Sequence, residues 1–257
     1  MADDALYVYG IIKFGFDFDW KEKGINGKNV YAINQREFSA LVHDCEEKAY
    51  TSKDPSKIKE MIISHNNILD KAMEHYGGVI PLHFNTIIKK RENLAFYNLK
   101  NWLNNDKERL EIIWNKIKGK KEYGIRIYYD KEKLIQEASS NKEIEAIESS
   151  QEGKSEGLSY LLQSKAKSKI NEIAQNRINE FKKRFYDYVK KTTNDLKLSN
   201  SRILIDEEKD LLLTLSVLVN DQQIDDIKKI LEKTRDSFSF QFAGPFAPYS
   251  FVEDEKQ

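Results

Sequence analysis

The side chains best suited to chemistry in this chain are its four histidines and its single cysteine. His43 and Cys45 lie two positions apart in an apolar run, so on a β-strand they would face the same side. A zinc site needs a second pair of ligands at a similar spacing, and the sequence has none. His65 falls on the apolar stripe of a predicted helix, where a lone histidine is more often a hydrogen-bonded side chain than a ligand. We therefore predict no metal site and no cofactor.

Nucleophilic catalysis would most directly pair Cys45 with His43 or His65. The sequence shows neither a glycine turn beside the cysteine nor a third group to orient the base. Residues 24–29 offer glycine and lysine, but the phosphate-loop spacing is absent and a hairpin-like turn is favoured. Nucleophile-elbow, zinc-protease and dinucleotide-binding patterns are also absent. The sequence predicts that the protein is not an enzyme.

Four tyrosines on predicted strands, Tyr7, Tyr9, Tyr128 and Tyr129, could stack bases as they do in RNA-binding sheets. Basic and acidic residues balance at 42 each, however, so no net charge gathers nucleic acid or an anionic membrane. The glycine-aromatic pattern of such RNA-binding sheets is also absent. We predict no nucleic-acid partner, and an RNA-binding or small-molecule-sensing ferredoxin-like module remains the alternative.

Three features of the sequence predict a cytoplasmic protein. One cysteine excludes an internal disulfide. The acidic N-terminus lacks the basic and apolar regions of a signal peptide. The longest mostly apolar stretch, residues 211–219, is far shorter than the about 20 residues of a membrane-spanning helix and is predicted to be a buried strand.

The first half of the chain predicts an α+β domain over residues 1–136 that resembles a ferredoxin-like split βαβ arrangement. A helix should begin after Asp54-Pro55 and end at Gly77-Gly78. A second helix is predicted over residues 92–118, where apolar residues recur at steps of three and four. The predicted strands cover residues 6–12, 30–33, 38–42, 79–84 and 123–129.

A composition rich in glutamate and serine predicts a linker or a marginal surface helix over residues 137–157, and we place the domain boundary there. The C-terminal domain, residues 158–257, should open with a long helix over 158–189. Two strands, a helix and a further strand should follow, at 202–205, 211–219, 222–233 and from 238. The sequence leaves open that this half is a modified ferredoxin-like fold.

The C-terminal segment reads GPFAPYSFV at residues 244–252 and contains two of the four prolines. Its prolines fix two φ angles, so little entropy remains to be lost when it packs. Its aromatic residues would expose an apolar patch unless they were docked. The segment is either a strap over the chain's own core or an arm that binds a partner.

Three motifs in order along the chain resemble the gas vesicle protein F/L family. They read LYVYGI at residues 6–11, VIPLHFNT at 79–86, and the GPFAPYSF of the C-terminal segment. The chain departs from the family at His83, where arginine is usual, and at Asn85, where glycine is usual. Phe246 and Ala247 replace a usual Trp-Pro pair.

This resemblance implies an accessory protein for gas vesicle assembly without enzymatic activity. It also implies that the partners are the hydrophobic shell subunit and other gas vesicle accessory proteins. The residues matched to the motifs, which bind a partner or lock the fold, are Pro81, Phe84, Thr86, Gly244, Pro245, Pro248, Tyr249 and Phe251.

Overall fold

The computed structural model describes residues 5–13, 22–150, 154–198, 210–233 and 238–252. Helices and strands form two units with one sheet each, which confirms the predicted α+β class. Unit 1 comprises Met1–Glu122 and Gly244–Gln257, and unit 2 comprises Tyr123–Ala243. The C-terminal segment therefore belongs to the same unit as the N-terminal half.

Strand β1 (Ala5–Lys13) lies inside the first sheet and pairs antiparallel with its neighbour β3 (Phe38–Cys45). On the far side of β3, β2 (Tyr31–Gln35) completes an antiparallel hairpin. The other edge of β1 is shared by β4 (Ile80–Pro81) and β5 (Ile87–Lys89), which pair with different stretches of it. Almost every residue of β1 is buried, as in a strand covered on both faces.

The first helix, α1 (Pro55–Tyr76), has the predicted bounds. The Asp54 side chain accepts a hydrogen bond from the Ser56 N–H at its start, and Gly77 ends it in the left-handed conformation. The single helix predicted over 92–118 is instead two, α2 (Ala95–Asn105) and α3 (Lys107–Ile117). They meet at Asp106, whose backbone leaves the helical region. Aspartate is less favourable inside a helix than at its ends, because its side chain can hydrogen-bond to nearby backbone groups in non-helical conformations.

The strand order of the first sheet, β2-β3-β1-β4, is the order of a ferredoxin-like sheet. The split βαβ unit is nevertheless incomplete, because the described part of the β1–β2 connection contains only a short 3-10 helix (Ile25–Gly27). The strand at 123–129, predicted to close this domain, lies in the second sheet.

Unit 2 contains the sheet β7-β8-β6-β9. Its strands are β6 (Lys121–Tyr129), β7 (Leu196–Leu198), β8 (Asp210–Val219) and β9 (Phe238–Phe246). Its helices are α4 (Lys131–Ser139), α5 (Lys142–Ser149), α6 (Glu156–Thr192) and α7 (Asp221–Glu232). Because helices follow β6 and β8, both the element order and the strand order match a ferredoxin-like fold, more fully than in unit 1.

Of the two structures predicted for residues 137–157, a linker or a surface helix, the described part is largely helical, since residues 137–139 lie in α4 and residues 142–149 form α5. Side-chain caps from Asp130 and Asn141 begin these helices. Leu134 and Ala138 pack with Ala174 and other residues of α6. A few apolar residues at helical spacing are therefore enough to anchor α4 on α6. The division between units follows Glu122 and precedes Gly244 instead. The strand predicted at 202–205 lies outside the described residues.

Candidate functional site

Hydrogen-bonded tyrosine and histidine side chains form a buried cluster in unit 1. This Tyr–His cluster consists of Tyr7, Tyr9, His43, Tyr50, His65 and Tyr249. Tyr7 on β1 lies opposite His43 on β3, and their rings stack with centroids 5.0 Å apart. A β-bulge between Val8 and Gly10 makes Tyr9 the extra residue of β1. The pairing register of two strands therefore brings these side chains together.

One hydrogen-bond chain runs through His43. Its Nδ1 lies 2.8 Å from the Tyr9 hydroxyl and its Nε2 lies 2.8 Å from the Tyr50 hydroxyl. The Tyr9 oxygen also accepts the Ile25 N–H at 2.9 Å. Gly24 permits this approach, because a Cβ atom there would lie 1.9 Å from the Tyr9 hydroxyl. The glycine of the loop thus makes room for a tyrosine rather than for a phosphate.

The second chain runs through His65, which is 1% exposed. Its Nε2 donates to the carbonyl of Leu82 at 3.1 Å and to the Tyr249 hydroxyl at 2.9 Å. A carbonyl can only accept, so Nε2 carries the proton and Nδ1 accepts from the Tyr7 hydroxyl at 2.8 Å. Tyr249 in turn donates to Asn66 Oδ1 at 3.3 Å. His65 thereby links β1, the central segment and the C-terminal segment.

Burial sets the protonation of this cluster. It lowers the pKa of His65 to about 4, because a buried imidazolium loses its hydration. It raises the pKa of Tyr7, Tyr9 and Tyr249 well above the usual range. All four groups are therefore neutral at pH 7, and within the cluster Tyr7 and Tyr249 bond to His65 while Tyr9 bonds to His43. This arrangement suits a structural network better than proton transfer to a substrate.

The central motif residues lie around this cluster. Pro81 is buried in β4 opposite Gly10, on an edge strand of the sheet, where a proline is tolerated. The Phe84 ring contacts Tyr7 and His65 edge-on, with centroids 6.3 and 6.1 Å apart. The Thr86 hydroxyl donates to the His83 carbonyl at 2.7 Å and closes the turn between β4 and β5.

Asn85 shows why one departure from the family motif is tolerated. Its φ of 71° lies in the left-handed region, which asparagine enters more readily than most residues. Its side chain binds the backbone of Tyr50, accepting the N–H at 2.8 Å and donating to the carbonyl at 3.1 Å. Its own N–H donates to the Tyr7 hydroxyl at 3.2 Å. Asparagine thus supplies the backbone conformation of glycine and adds two hydrogen bonds.

The C-terminal segment packs within unit 1. Tyr249 begins a short helix, α8 (Tyr249–Val252), and its ring stacks on His83 at 5.9 Å. Phe251 is 3% exposed, and Lys116 Nζ lies 5.6 Å from the centre of its ring. Ser250 donates from its N–H and hydroxyl to the Glu122 carboxylate, at 2.9 and 2.5 Å. These are the contacts of a strap.

The other tail residues differ in exposure. Pro248 is buried, whereas Gly244 and Pro245 are exposed near the end of β9 and share a cis peptide bond. The expectation that Phe246 is docked is wrong, because 47% of its surface is exposed. Phe246 lies at the end of an edge strand, so part of its ring faces solvent.

The sequence singled out Tyr249, Phe84 and His65 separately but did not show that they meet. The Tyr-x-Tyr alternation on β1 places two hydroxyls on one face and was the available signal. The role of Tyr50 gave no signal, because it lies in a connection without periodicity.

Two absences among the described residues bear on other functions. These residues contain no group of three or more histidine, cysteine or acidic side chains placed to hold a metal ion. Nor does any helix within those ranges combine the length and apolar character needed to cross a bilayer.

Comparison with known proteins gives a consistent match. The family described as gas vesicle synthesis protein GvpL/GvpF matches residues 5–253. Gas vesicle protein L of Haloferax mediterranei is 25% identical over 92% of this chain and 74% of its own length. Gas vesicle protein F of the same organism is 27% identical over 97% of this chain and 94% of its own.

A solved structure shares the fold. The crystal structure of GvpF from Anabaena sp. superposes with a TM-score of 0.69 and 21% identity, covering 98% of this chain and 100% of that one.

Proposed function

The chain belongs to the gas vesicle synthesis protein GvpL/GvpF family, and we propose that it is an accessory protein that binds the hydrophobic shell subunit during assembly. Family membership supports a role in gas vesicle formation. An apolar subunit that polymerises into a shell needs its exposed strands or helices shielded beforehand. A protein with an open sheet edge or an apolar groove can shield them by strand addition or helix binding.

The observation that carries this proposal is the extent of the family match, which includes all three motifs. Exposed apolar side chains on α2 and α6 add support, because surfaces of this kind mark interaction sites. They are Leu94, Phe96, Tyr97, Leu158, Tyr160 and Leu161. The side chains of the Tyr–His cluster hydrogen-bond to other groups inside unit 1, which supports a role without catalysis.

We assign the motif residues to holding unit 1 together rather than to direct contact with a partner. Tyr249 and Phe84 both touch His65, and Phe251 is buried. Other gas vesicle accessory proteins are further proposed partners, and the cytoplasm is the proposed compartment.

Coexpression with the shell subunit tests the proposal. We expect the two proteins to copurify, and the subunit to aggregate more when it is expressed alone. The contact should survive moderate salt, because it would bury apolar surface and main-chain edges rather than phosphate charges. Normal vesicle formation in cells that lack this protein and every other family member would refute the proposal.

Charged substitutions separate the two roles of the motifs. Phe84→Glu and Tyr249→Glu should each abolish vesicle formation, because each places a charge in or beside the buried cluster. A lowered melting temperature and altered circular dichroism would assign the loss to folding, as we expect. Variants that melt like the wild type but fail to bind the shell subunit would assign the motifs to direct contact instead.

A further inference from the structure

An open groove lies between the edge strand β5 and the helix α2 in unit 1, with a volume of about 500 Å³. The three residues of β5 form one wall, and one face of α2 forms the other. The lining residues of α2 are Asn98, Asn101, Trp102 and Asn105. β5 pairs only with β1 among the strands of the described residues, so its second edge faces this groove.

The register of β5 determines which main-chain groups face the groove. The Val8 N–H donates to the Thr86 carbonyl at 2.9 Å, so this opposed pair is hydrogen-bonded. Bonded and non-bonded pairs alternate in an antiparallel ladder, and Ile87 and Lys89 therefore direct their N–H and C=O groups away from β1. The Asn98 side chain confirms this direction, since its amide donates to the Lys89 carbonyl at 3.0 Å. An added strand could bond to Ile87 and to the Lys89 N–H.

The charge of the groove restricts its occupant. The ionised side chains that line it, Lys89 and Arg91, are both basic. The other polar residues that line it, Asn98, Asn101 and Asn105, are neutral. The positive lining is complementary to carboxylates.

Apolar surface adjoins the groove where α2 begins. Leu94 is 54% exposed and Tyr97 is 55% exposed, and Phe96 is also exposed within the same turn. Lys100 Nζ lies 4.6 Å from the centre of the Phe96 ring. A partner segment that extends past the groove would therefore meet apolar and basic surface in turn.

We infer that the β5–α2 groove is a strand-addition site for an extended partner segment that alternates apolar and acidic side chains. The main chain of the segment pairs with β5, its carboxylates pair with Lys89 and Arg91, and its apolar side chains, on the opposite face of the strand, contact Ile88 and Trp102. This inference goes beyond the proposed function, because it holds whichever protein carries the segment.

A synthetic eight-residue peptide of alternating valine and glutamate is the probe. Two peptides serve as controls, one with lysine in place of glutamate and one with every main-chain amide N-methylated, which removes the donors on both edges of the strand. We expect the first peptide to shift the NMR amide signals of Ile87 and Lys89. The lysine peptide should bind at least about tenfold more weakly by fluorescence anisotropy, and N-methylation should abolish binding.

Protein variants test the same groove. Lys89→Glu combined with Arg91→Glu should weaken binding on the order of tenfold. Lys182→Glu combined with Lys183→Glu, which reverses two exposed charges on α6, is the matched control and should bind normally. Ile87→Pro removes the outward N–H without removing a bond to β1, and it should lose binding while its melting temperature shows a folded protein.

Three results would overturn the inference. The first is that the N-methylated peptide binds as tightly as the unmodified peptide. The second is that the peptide leaves the NMR amide signals of β5 unshifted. The third is that the protein without peptide is a dimer in sedimentation velocity, with this edge in its interface. Failure to copurify with the shell subunit would refute the proposed function and leave the peptide results unchanged, so the two proposals fail separately.

Discussion

His65 is the residue at which three segments of unit 1 meet, through Tyr7, Leu82 and Tyr249. The sequence placed this histidine on an apolar helix face, where a hydrogen-bonded side chain was the expected role. The partners could not be predicted, because two of them are more than 50 positions away in the chain. Only the strand register and the return of the C-terminal segment bring them within reach.

Acid should destabilise the protein through His65. Its folded pKa is about 4 and its unfolded pKa is about 6.5, so below about pH 6.5 the unfolded state binds a proton that the folded state rejects. The stability is present above the unfolded pKa and is lost as the pH falls toward 4, by on the order of 3 kcal/mol. Urea unfolding between pH 7.5 and pH 4.5 measures this loss.

Two variants isolate the contribution of this histidine. His65→Gln should be less stable at pH 7.5, because the network loses a partner, but its stability should depend less on pH. His75→Gln changes an exposed histidine at the end of the same helix and should keep the wild-type dependence. An unchanged slope in His65→Gln would show that other groups cause the acid sensitivity.

The Tyr249 hydroxyl should make a modest contribution of its own. Tyr249→Phe keeps the ring on His83 and removes one acceptor for His65 and one donor to Asn66. We expect a loss of about 1 kcal/mol, because His65 Nε2 retains the Leu82 carbonyl. Urea unfolding measures it, with the exposed Tyr97→Phe as a control that should change little. A loss above about 3 kcal/mol would mean that the hydroxyl orders the whole segment.

At the scale of elements, local signals were sufficient where they were strong. The aspartate-proline start and the glycine end of α1 gave its bounds. The break at Asp106 was missed, because a single polar residue does not interrupt an apolar repeat at steps of three and four. Composition left a linker or a marginal surface helix open over residues 137–157 and did not show that α4 and α5 are anchored, whereas Leu134 and Ile144 are buried.

Removing the C-terminal segment should destabilise unit 1. Deletion of residues 244–257 exposes the cavities left by Phe251 and Val252 and leaves the buried Glu122 carboxylate without Ser250. Each large apolar side chain contributes roughly 1.5 to 3 kcal/mol when buried, so the melting temperature should fall markedly. A chain that ends at Val252 is the matched control, because it keeps every contact described above. A stable deletion variant that no longer binds partners would identify the segment as an arm.

The two units of the molecule contain different strands and segments from those assigned to the two predicted domains. The strand at 123–129 was expected to close the first sheet, and the C-terminal segment was expected to complete the second domain. In the structure, the strand at 123–129 is part of β6, which lies between β8 and β9 in the second sheet, and the C-terminal helix α8 belongs to unit 1. Such exchanges follow from strand pairing between distant positions, which local propensity does not encode.

This exchange predicts how the protein behaves after limited proteolysis. Residues 150–155 contain no aliphatic side chain and include Glu152 and Lys154, so cleavage there should precede cleavage elsewhere. The two fragments should nevertheless coelute in size-exclusion chromatography and separate only in denaturant. The first fragment carries β6, which needs β8 and β9, and the second carries α8, which packs in unit 1. Fragments that separate without denaturant would instead support two independent domains joined by a linker at 137–157.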